Sequence, residues 1–79
     1  MTRTLRNRLD REFSLYIRSR GQCEQCGSRR TLQTSHIYSR RYLGIRWHPL
    51  NAFCFCAACH LRWHHRPTEG VAWAKAYLG

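Results

Sequence analysis

Two C-x-x-C pairs constrain the fold of this chain more than any other feature. The first pair is Cys23 and Cys26, the second is Cys56 and Cys59, and 29 residues separate Cys26 from Cys56. Four thiolates in two such pairs satisfy tetrahedral zinc, because each pair supplies adjacent ligands from one turn. With 79 residues the chain is too short for two cores, and chains this small usually need a staple. The sequence therefore predicts one domain held together by a structural Zn²⁺ ion.

Disulfide or redox pairing is the alternative use of these cysteines. The N-terminal segment has no unbroken apolar run of the secretory kind, and no stretch approaches the roughly 18 apolar residues of a membrane span. We therefore expect a cytoplasmic location, where thiols stay reduced and disulfides are rare. Cys54 is left over. We interpret it as a small buried hydrophobe, and competition with Cys56 for the metal stays open.

Arginine dominates the charge of the chain. Fourteen Lys and Arg residues stand against four acidic residues, which gives a formal net charge of +10. The planar guanidinium group suits phosphate because it can donate two parallel hydrogen bonds. Nucleic acid is therefore the expected partner, and a solvated basic face without a partner is the alternative. The candidate contacts are Arg40, Arg41, Arg46 and Arg62.

The N-terminal segment has the period of an amphipathic helix. Over residues 4–20 apolar side chains recur on one side of a 3.6-residue period, and polar side chains occupy the other side. Gly21 fits a stop at the end of this helix. The predicted apolar face consists of Leu5, Leu9, Phe13, Tyr16 and Ile17, and the predicted polar face of Asn7, Arg11, Ser14 and Arg18.

The rest of the chain alternates between strand and helix patterns. Residues 31–39 predict a strand, residues 40–50 a loop, and residues 51–55 a short second strand. Residues 57–65 lack helix breakers and predict a helix that ends before the next proline. Thr68 and Glu69 are predicted to open a last short helix, within residues 67–79. Its packing side chains are expected to be Val71, Trp73, Ala74, Tyr77 and Leu78.

Three of the five histidines are candidates for metal binding or catalysis. His60 and His64 are four residues apart on the predicted helix, so both side chains leave the same helix face. Such a pair is a frequent geometry for a divalent metal, although packing and phosphate contact are alternatives. His36 lies near the end of the first predicted strand, where a single histidine would ordinarily be read as structural.

The order of these residues resembles a known nuclease superfamily. His36, Asn51, His60 and His64, set between two C-x-x-C pairs on a strand, loop, strand and helix, resemble the HNH or His-Me finger endonucleases with their ββα-metal fold. The cysteine arrangement is similar to that of phage resolvase-type and NinG-type HNH proteins. The resemblance covers about residues 21–66, and the flanking helices, 1–20 and 67–79, lie outside it.

The resemblance implies a small α+β fold and a metal-dependent endonuclease. The enzyme would hydrolyse phosphodiester bonds in double-stranded or branched DNA, and its role would lie in phage or mobile-element DNA processing. His36 would be the general base and Asn51 would brace the loop across from it. His60 and His64 would hold one catalytic divalent cation, and His60 corresponds to a catalytic residue of the family. The cation would be Mg²⁺, Mn²⁺, Ni²⁺ or Co²⁺. Ser35 would neighbour this cation, at a position where most of the family has Asp or His.

Three other function classes compete with this interpretation, one of them a toxin or anti-defence protein that acts by binding another protein. A non-catalytic zinc module that binds DNA or RNA explains the cysteines and the charge equally well. A zinc-dependent nucleobase deaminase needs a Glu two residues after a ligand histidine, but His36 is followed by Ile37 and Tyr38, so this class is excluded. Four aromatic residues would either stack on unpaired bases or pack in the core, namely Tyr38, Tyr42, Trp47 and Trp63.

Overall fold

The computed structural model describes residues 1–78 as a small α+β domain with a two-stranded antiparallel sheet and three helices. The α+β class and the predicted order of elements are therefore confirmed. The long segment between the strands, residues 37–48, has no regular secondary structure and is called the long loop below. The elements are α1 (Arg3–Arg18), β1 (Leu32–His36), a 3-10 turn (Pro49–Asn51), β2 (Ala52–Cys56), α2 (Ala57–His65) and α3 (Pro67–Leu78).

Helix α1 begins at a capped N-terminus and docks through a narrower face than its sequence predicts. The Thr2 hydroxyl accepts a hydrogen bond from the backbone N–H of Leu5 at 3.1 Å, which satisfies one of the free donors at the helix start. Phe13 and Ile17 are buried as predicted. Leu5 and Tyr16 were expected on the same face but are exposed, because docking buries only the side of the helix that meets the sheet.

Ser14 was predicted on the polar face of α1, but the structure places it against β1. Its hydroxyl lies 3.1 Å from the hydroxyl of Thr34 on β1, and the Thr34 hydroxyl also donates to the Ser14 carbonyl at 3.2 Å. Phe13 and Ile17 pack nearby against Ala52 of β2. The contact surface of α1 is therefore rotated toward its polar side, which places polar α1 residues beside the sheet.

Strand β2 is buried along its whole length and forms the centre of the domain. It pairs with β1 in a register that sets His36 opposite Ala52 and Leu32 opposite Cys56. Cys54, with Ala52, packs under α1, whereas Phe53 and Phe55 pack in a second cluster with three of the paired cysteines and α3. Alternate residues of β2 therefore belong to two cores. One core lies under α1 and the other lies around the cysteines.

Helix α2 has the predicted bounds, and α3 begins at Pro67, where the predicted C-terminal segment 67–79 starts. Proline is well tolerated in the first helical turn because its missing N–H has no partner there, so α3 starts at Pro67. Ala74 is buried and Trp73 contacts Phe53 at a ring-centroid distance of 5.1 Å. Val71 and Leu78 were expected to pack but are exposed. Within the described residues, no helix is long and apolar enough to cross a membrane.

Candidate functional site

The four paired cysteines meet at one point between the turn after α1 and the start of α2. Their sulfur atoms all lie within 4.8 Å of one another, and the sulfurs of Cys26 and Cys56 are 3.6 Å apart. Four thiolates at Zn–S distances of about 2.3 Å in a tetrahedron would be separated by roughly 3.8 Å. Cys23 and Cys59 are buried and Cys26 is exposed. The four cysteines are therefore positioned to hold one metal ion, consistent with a structural zinc.

Local backbone geometry builds the first half of this cluster. The Cys23 carbonyl accepts a hydrogen bond from the N–H of Gly27 at 2.9 Å, and the N–H of Cys26 points at the Cys23 sulfur at 3.5 Å. Gly27 has φ of 81°, a conformation that residues with a Cβ rarely adopt. A tight turn closed by glycine thus brings the two sulfurs of the first pair to one side.

The thiols of the cluster differ in acidity. Burial disfavours the Cys23 thiolate, but backbone N–H groups directed at its sulfur outweigh this effect and lower the pKa of Cys23 to about 6. Burial, with hydrogen bonds to neighbouring thiols, raises the pKa of Cys59. A metal ion must displace the remaining thiol protons, so metal affinity is expected to fall as the pH falls.

Cys54 lies apart from this cluster. Its side chain is fully buried under α1 beside Phe13 and Ile17, and burial raises the pKa of its thiol. It does not belong to the group of sulfur atoms that could share a metal. The interpretation of Cys54 as a small buried hydrophobe is therefore confirmed, and competition with Cys56 for the ion is excluded.

Helix α2 carries the histidine pair on the side that faces β1. The Nδ1 atom of His60 lies 2.7 Å from the Oε1 atom of Gln33, and its Nε2 atom lies 3.0 Å from the Nε2 atom of His64. An amide oxygen only accepts, so Nδ1 of His60 carries the proton and its Nε2 is left with a lone pair. Desolvation lowers the pKa of His60, and the neighbouring His64 and His36 add to the effect.

The separation of the two Nε2 atoms suits a shared ion. Two imidazole nitrogens about 2.1 Å from one metal at a right angle would lie roughly 3 Å apart. Without an ion, Nε2 of His64 donates to Nε2 of His60. Once the His64 proton moves to Nδ1, both Nε2 atoms are able to act as adjacent ligands from one helix face. Across residues 1–78, however, the four-cysteine cluster is the one group of three or more Cys, His, Asp or Glu side chains that could share an ion.

His36 stands at the end of β1 with a defined ring orientation. Its Nε2 atom lies 2.9 Å from the backbone carbonyl of Arg46 in the long loop, and its ring centroid is 5.4 Å from that of Phe13. A carbonyl only accepts, so Nε2 must carry the proton that bonds to it. In the neutral ring this leaves the lone pair on Nδ1, which is the atom a general base needs.

The three histidines line one cleft, called the histidine cleft below. Its volume is about 630 Å³, and besides His36, His60 and His64 its walls include Arg11 of α1 and Arg40 of the long loop. Asp10 also lines the cleft, but the two arginines outnumber it, so the charged side chains of the cleft favour an anion. The fold thus brings together the three histidines that the sequence singles out, and α1 supplies part of the wall.

Asn51 lies outside the histidine cleft and supports the long loop. Its Oδ1 atom accepts a hydrogen bond from the N–H of Tyr38 at 2.8 Å. Its Nδ2 group donates to the carbonyls of Tyr38 at 3.3 Å and Ile45 at 3.1 Å. Asn51 is buried, so these contacts tie both ends of one turn of the loop to the start of β2.

Ser35 does not line the histidine cleft, in contrast to its predicted place beside the cation. Ser35 is 1% exposed, and its hydroxyl has no hydrogen-bond partner among residues 1–78. Adjacent residues of a strand point to opposite faces, and it is Thr34 and His36 that reach the cleft. Any ion at His60 and His64 would therefore take its further ligands from water or substrate.

The four candidate nucleic-acid contacts fall in different environments. Arg46 is 7% exposed and its guanidinium donates to Asp10, so the prediction that it contacts phosphate is wrong. Arg40 also bonds to Asp10, yet its side chain is 59% exposed and lines the cleft. Arg41 and Arg62 are exposed but line other surfaces. Arg11, which the sequence assigned only to a polar helix face, is the second arginine of the cleft.

The structure separates the four aromatic candidates into packed and exposed pairs. Trp63 packs on Phe55, with the ring centroids 6.1 Å apart, and Trp47 donates a hydrogen bond to Asp10 at 2.9 Å. Tyr38 and Tyr42 are 63% and 47% exposed on the long loop. Only the two tyrosines are therefore exposed enough to stack on a base, and the Arg41 guanidinium already lies over one face of the Tyr42 ring, 5.0 Å from its centroid.

Asp10 and Gln33 are the residues of this region that sequence reasoning missed. Both act through contacts that join segments 27 or more positions apart, so no local pattern marks them. The sequence offers only a weak signal, since Asp10 is one of two acids, with Glu12, on an arginine-rich helix. Comparisons of the chain with protein families, curated proteins and solved structures find no match.

Proposed function

We propose that the protein is a metal-dependent endonuclease of the HNH type, stapled by one structural Zn²⁺ ion at the four cysteines. Its substrate would be DNA. The observation that carries the proposal is the placement of His36, with Nδ1 free to accept a proton, in the same cleft as the His60 and His64 pair. A base and an adjacent ligand pair are the two elements that metal-assisted phosphodiester hydrolysis requires.

In this proposal His36 removes a proton from the attacking water. Its Nε2–H bond to the Arg46 carbonyl fixes the ring orientation and steadies the positive charge that develops on the imidazole. A divalent cation held by His60 and His64 would neutralise charge on the scissile phosphate and on the leaving oxygen. With imidazole ligands and no carboxylate at Ser35, Mn²⁺, Co²⁺ and Ni²⁺ are expected to support activity better than Mg²⁺.

Phosphate binding would begin at the rim of the cleft. Arg11 and Arg40 line it from opposite segments, and the net charge of +10 would attract a polyanion from solution. These contacts position the backbone without reading sequence, so binding should depend steeply on salt and weakly on base sequence.

A non-catalytic zinc module that binds DNA or RNA is the second candidate. The observation that favours it is the lack, among residues 1–78, of a third protein ligand beside His60 and His64. In that case Arg11, Arg40 and the histidines would contact phosphate, and no bond would be cut.

A cleavage assay distinguishes the two candidates. Purified protein is incubated with plasmid and branched DNA in Mg²⁺, Mn²⁺, Co²⁺ or Ni²⁺. His36→Ala should lower cleavage by about 10²-fold or more, the usual contribution of a general base, with zinc content and DNA affinity nearly unchanged. His60→Ala should raise the concentration of metal needed for activity.

His65→Ala is the matched control, because His65 lies on α2, is exposed and does not line the histidine cleft. It should retain wild-type activity and metal dependence. DNA binding by the wild-type protein without cleavage in any of the four metals would reject the nuclease and favour the binding module.

A further inference from the structure

Asp10 is the centre of a hydrogen-bond network that joins α1 to the long loop. Its Oδ1 atom accepts from Nε of Arg46 and from Nε1 of Trp47, both at 2.9 Å. Its Oδ2 atom accepts from Nη2 of Arg40 at 2.9 Å and from Nη2 of Arg46. One carboxylate therefore holds three side chains of a segment that has no regular secondary structure.

This network reaches His36 through Arg46. The guanidinium of Arg46 is bound by Asp10 and donates through Nη1 to the Arg40 carbonyl at 3.1 Å, so both its side chain and the local backbone are fixed. The backbone carbonyl of the same residue accepts the Nε2–H bond of His36. The carbonyl that determines the histidine tautomer is thus held in place from α1, 36 positions away in sequence.

We propose that Asp10 is a positioning residue, which fixes the Arg46 carbonyl and thereby keeps His36 in the tautomer with Nε2 protonated and Nδ1 free. The consequence for catalysis rests on the proposed nuclease function. The effect on the tautomer does not, since it follows from the hydrogen bonds alone.

The chemistry of the network requires a carboxylate at this position. All four hydrogen bonds to Asp10 come from N–H donors, two to each oxygen. An amide has one acceptor oxygen and would turn its own NH₂ group toward donors. Hydrogen bonding from Arg46 lowers the pKa of Asp10 to about 2, with further contributions from Trp47 and Arg40 that outweigh its desolvation. The carboxylate therefore stays ionised throughout the neutral pH range.

The tautomer of His36 can be measured directly on the zinc-loaded protein by ¹⁵N NMR of the imidazole nitrogens at neutral pH. In the wild-type protein His36 should be in the Nε2–H form. In Asp10→Asn a substantial fraction, a tenth or more, should shift to the Nδ1–H form or exchange between the two. Glu12→Gln is the matched control: Glu12 is exposed on the same helix and forms no ion pair within residues 1–78, so the tautomer should not change.

Two results would overturn the proposal. One is a wild-type His36 with its proton on Nδ1, a measurement that does not depend on whether any variant folds. The other is an Asp10→Asn protein with native zinc content and an unchanged His36 tautomer. Trp47→Phe, which removes one donor to Asp10 and leaves the ion pair with Arg46, should shift the tautomer less than Asp10→Asn does.

Cleavage kinetics test the consequence for catalysis. Asp10→Asn should lower kcat by about tenfold, because His36 acts in the transition state. KM should change less than threefold and toward tighter binding, because Asp10 also lines the histidine cleft and its loss frees Arg40 for phosphate. In a His36→Ala background Asp10→Asn should lower kcat no further, since residues that act as a unit are not additive. If the wild-type protein cuts nothing, the nuclease proposal fails while the tautomer measurement still decides the role of Asp10.

Discussion

The two sides of the domain are ordered by different means. Around the cysteines, Phe53 and Phe55 stack with a ring-centroid distance of 5.1 Å, and Trp63 and Trp73 pack on them from α2 and α3. The long loop across the sheet has exposed apolar side chains and is held by polar contacts to Asp10 and Asn51. One side is a packed core with a metal-ligand cluster, and the other is a hydrogen-bonded loop on a helix.

This difference suits the chemistry proposed for each side. Metal binding is coupled to folding of the whole domain. It therefore stabilises a small core but does little to adjust the position of a single side chain. Hydrogen bonds to a loop contribute about 1 kcal/mol each and act on the geometry of single groups. The side that carries His36 is therefore expected to respond to changes in Asp10 or Asn51 without loss of the fold, whereas the cysteine side should respond as one unit.

Removal of the metal is expected to have the largest effect. Chelation, or Cys56→Ala, should unfold both sides of the domain, because apparent binding free energies of structural zinc are about 10 kcal/mol or more and a chain of this size has little stability to spare. Circular dichroism before and after chelation, with elemental analysis for zinc, measures this.

Cys54→Ala provides the control on the same strand. Cys54 is buried outside the cluster, so its loss should cost about 1 kcal/mol through the small cavity that it leaves, with full zinc content. A metal-free protein that keeps native circular dichroism would contradict the assignment of the cysteine cluster as the staple.

The next largest effect is expected at Asn51. Asn51→Ala leaves the Tyr38 N–H and the Ile45 carbonyl without their partner, which should cost about 2–3 kcal/mol. Amide hydrogen exchange should become faster in the long loop and stay near wild type in β2 and α2. Asn7→Ala is the control, because Asn7 is exposed and has no side-chain hydrogen bond within residues 1–78, and equal effects of the two changes would contradict the bracing role.

Much of the cysteine side could be predicted from local pattern. The spacing of the two C-x-x-C pairs indicates four ligands, and the bounds of α2 follow from a breaker-free run before a proline. The i, i+4 rule places His60 and His64 on one helix face, where the structure has their Nε2 atoms 3.0 Å apart. These features are fixed by residues close in sequence, so the sequence is sufficient to find them.

The loop side depends on contacts that no local pattern encodes. Ser14 and Tyr16 exchange their predicted environments because the docking direction of α1, and not its hydropathy alone, decides which side is buried. Arg46 is a residue type that commonly contacts phosphate. Its partner Asp10, however, lies 36 positions away in sequence and keeps Arg46 buried. A pairing over that distance becomes visible only once the helix is placed on the sheet.

The smallest expected effect on stability comes from replacing a glycine by alanine on each side of the domain, at Gly70 in α3 and at Gly44 in the long loop. A Cβ at Gly70 of α3 would lie 2.5 Å from Cε3 and 2.9 Å from Cζ3 of Trp63, closer than real Cβ atoms approach. Trp63 is confined by Phe53 and Phe55, with ring centroids 5.9 Å and 6.1 Å away, so it has little room to shift. Overpacking costs about 1–3 kcal/mol, which exceeds the gain of up to 1 kcal/mol from replacing a helical glycine.

Gly70→Ala should therefore lower the free energy of unfolding by about 1–2 kcal/mol on balance. At Gly44 in the long loop a Cβ meets no atom of the described residues within 4 Å, so Gly44→Ala should be neutral or stabilise by about 0.5 kcal/mol through the unfolded chain. Denaturant unfolding of the two zinc-loaded variants measures both values. Equal costs at Gly70 and Gly44 would contradict the contrast between a packed side and an open loop, because only the packed side lacks space for a methyl group.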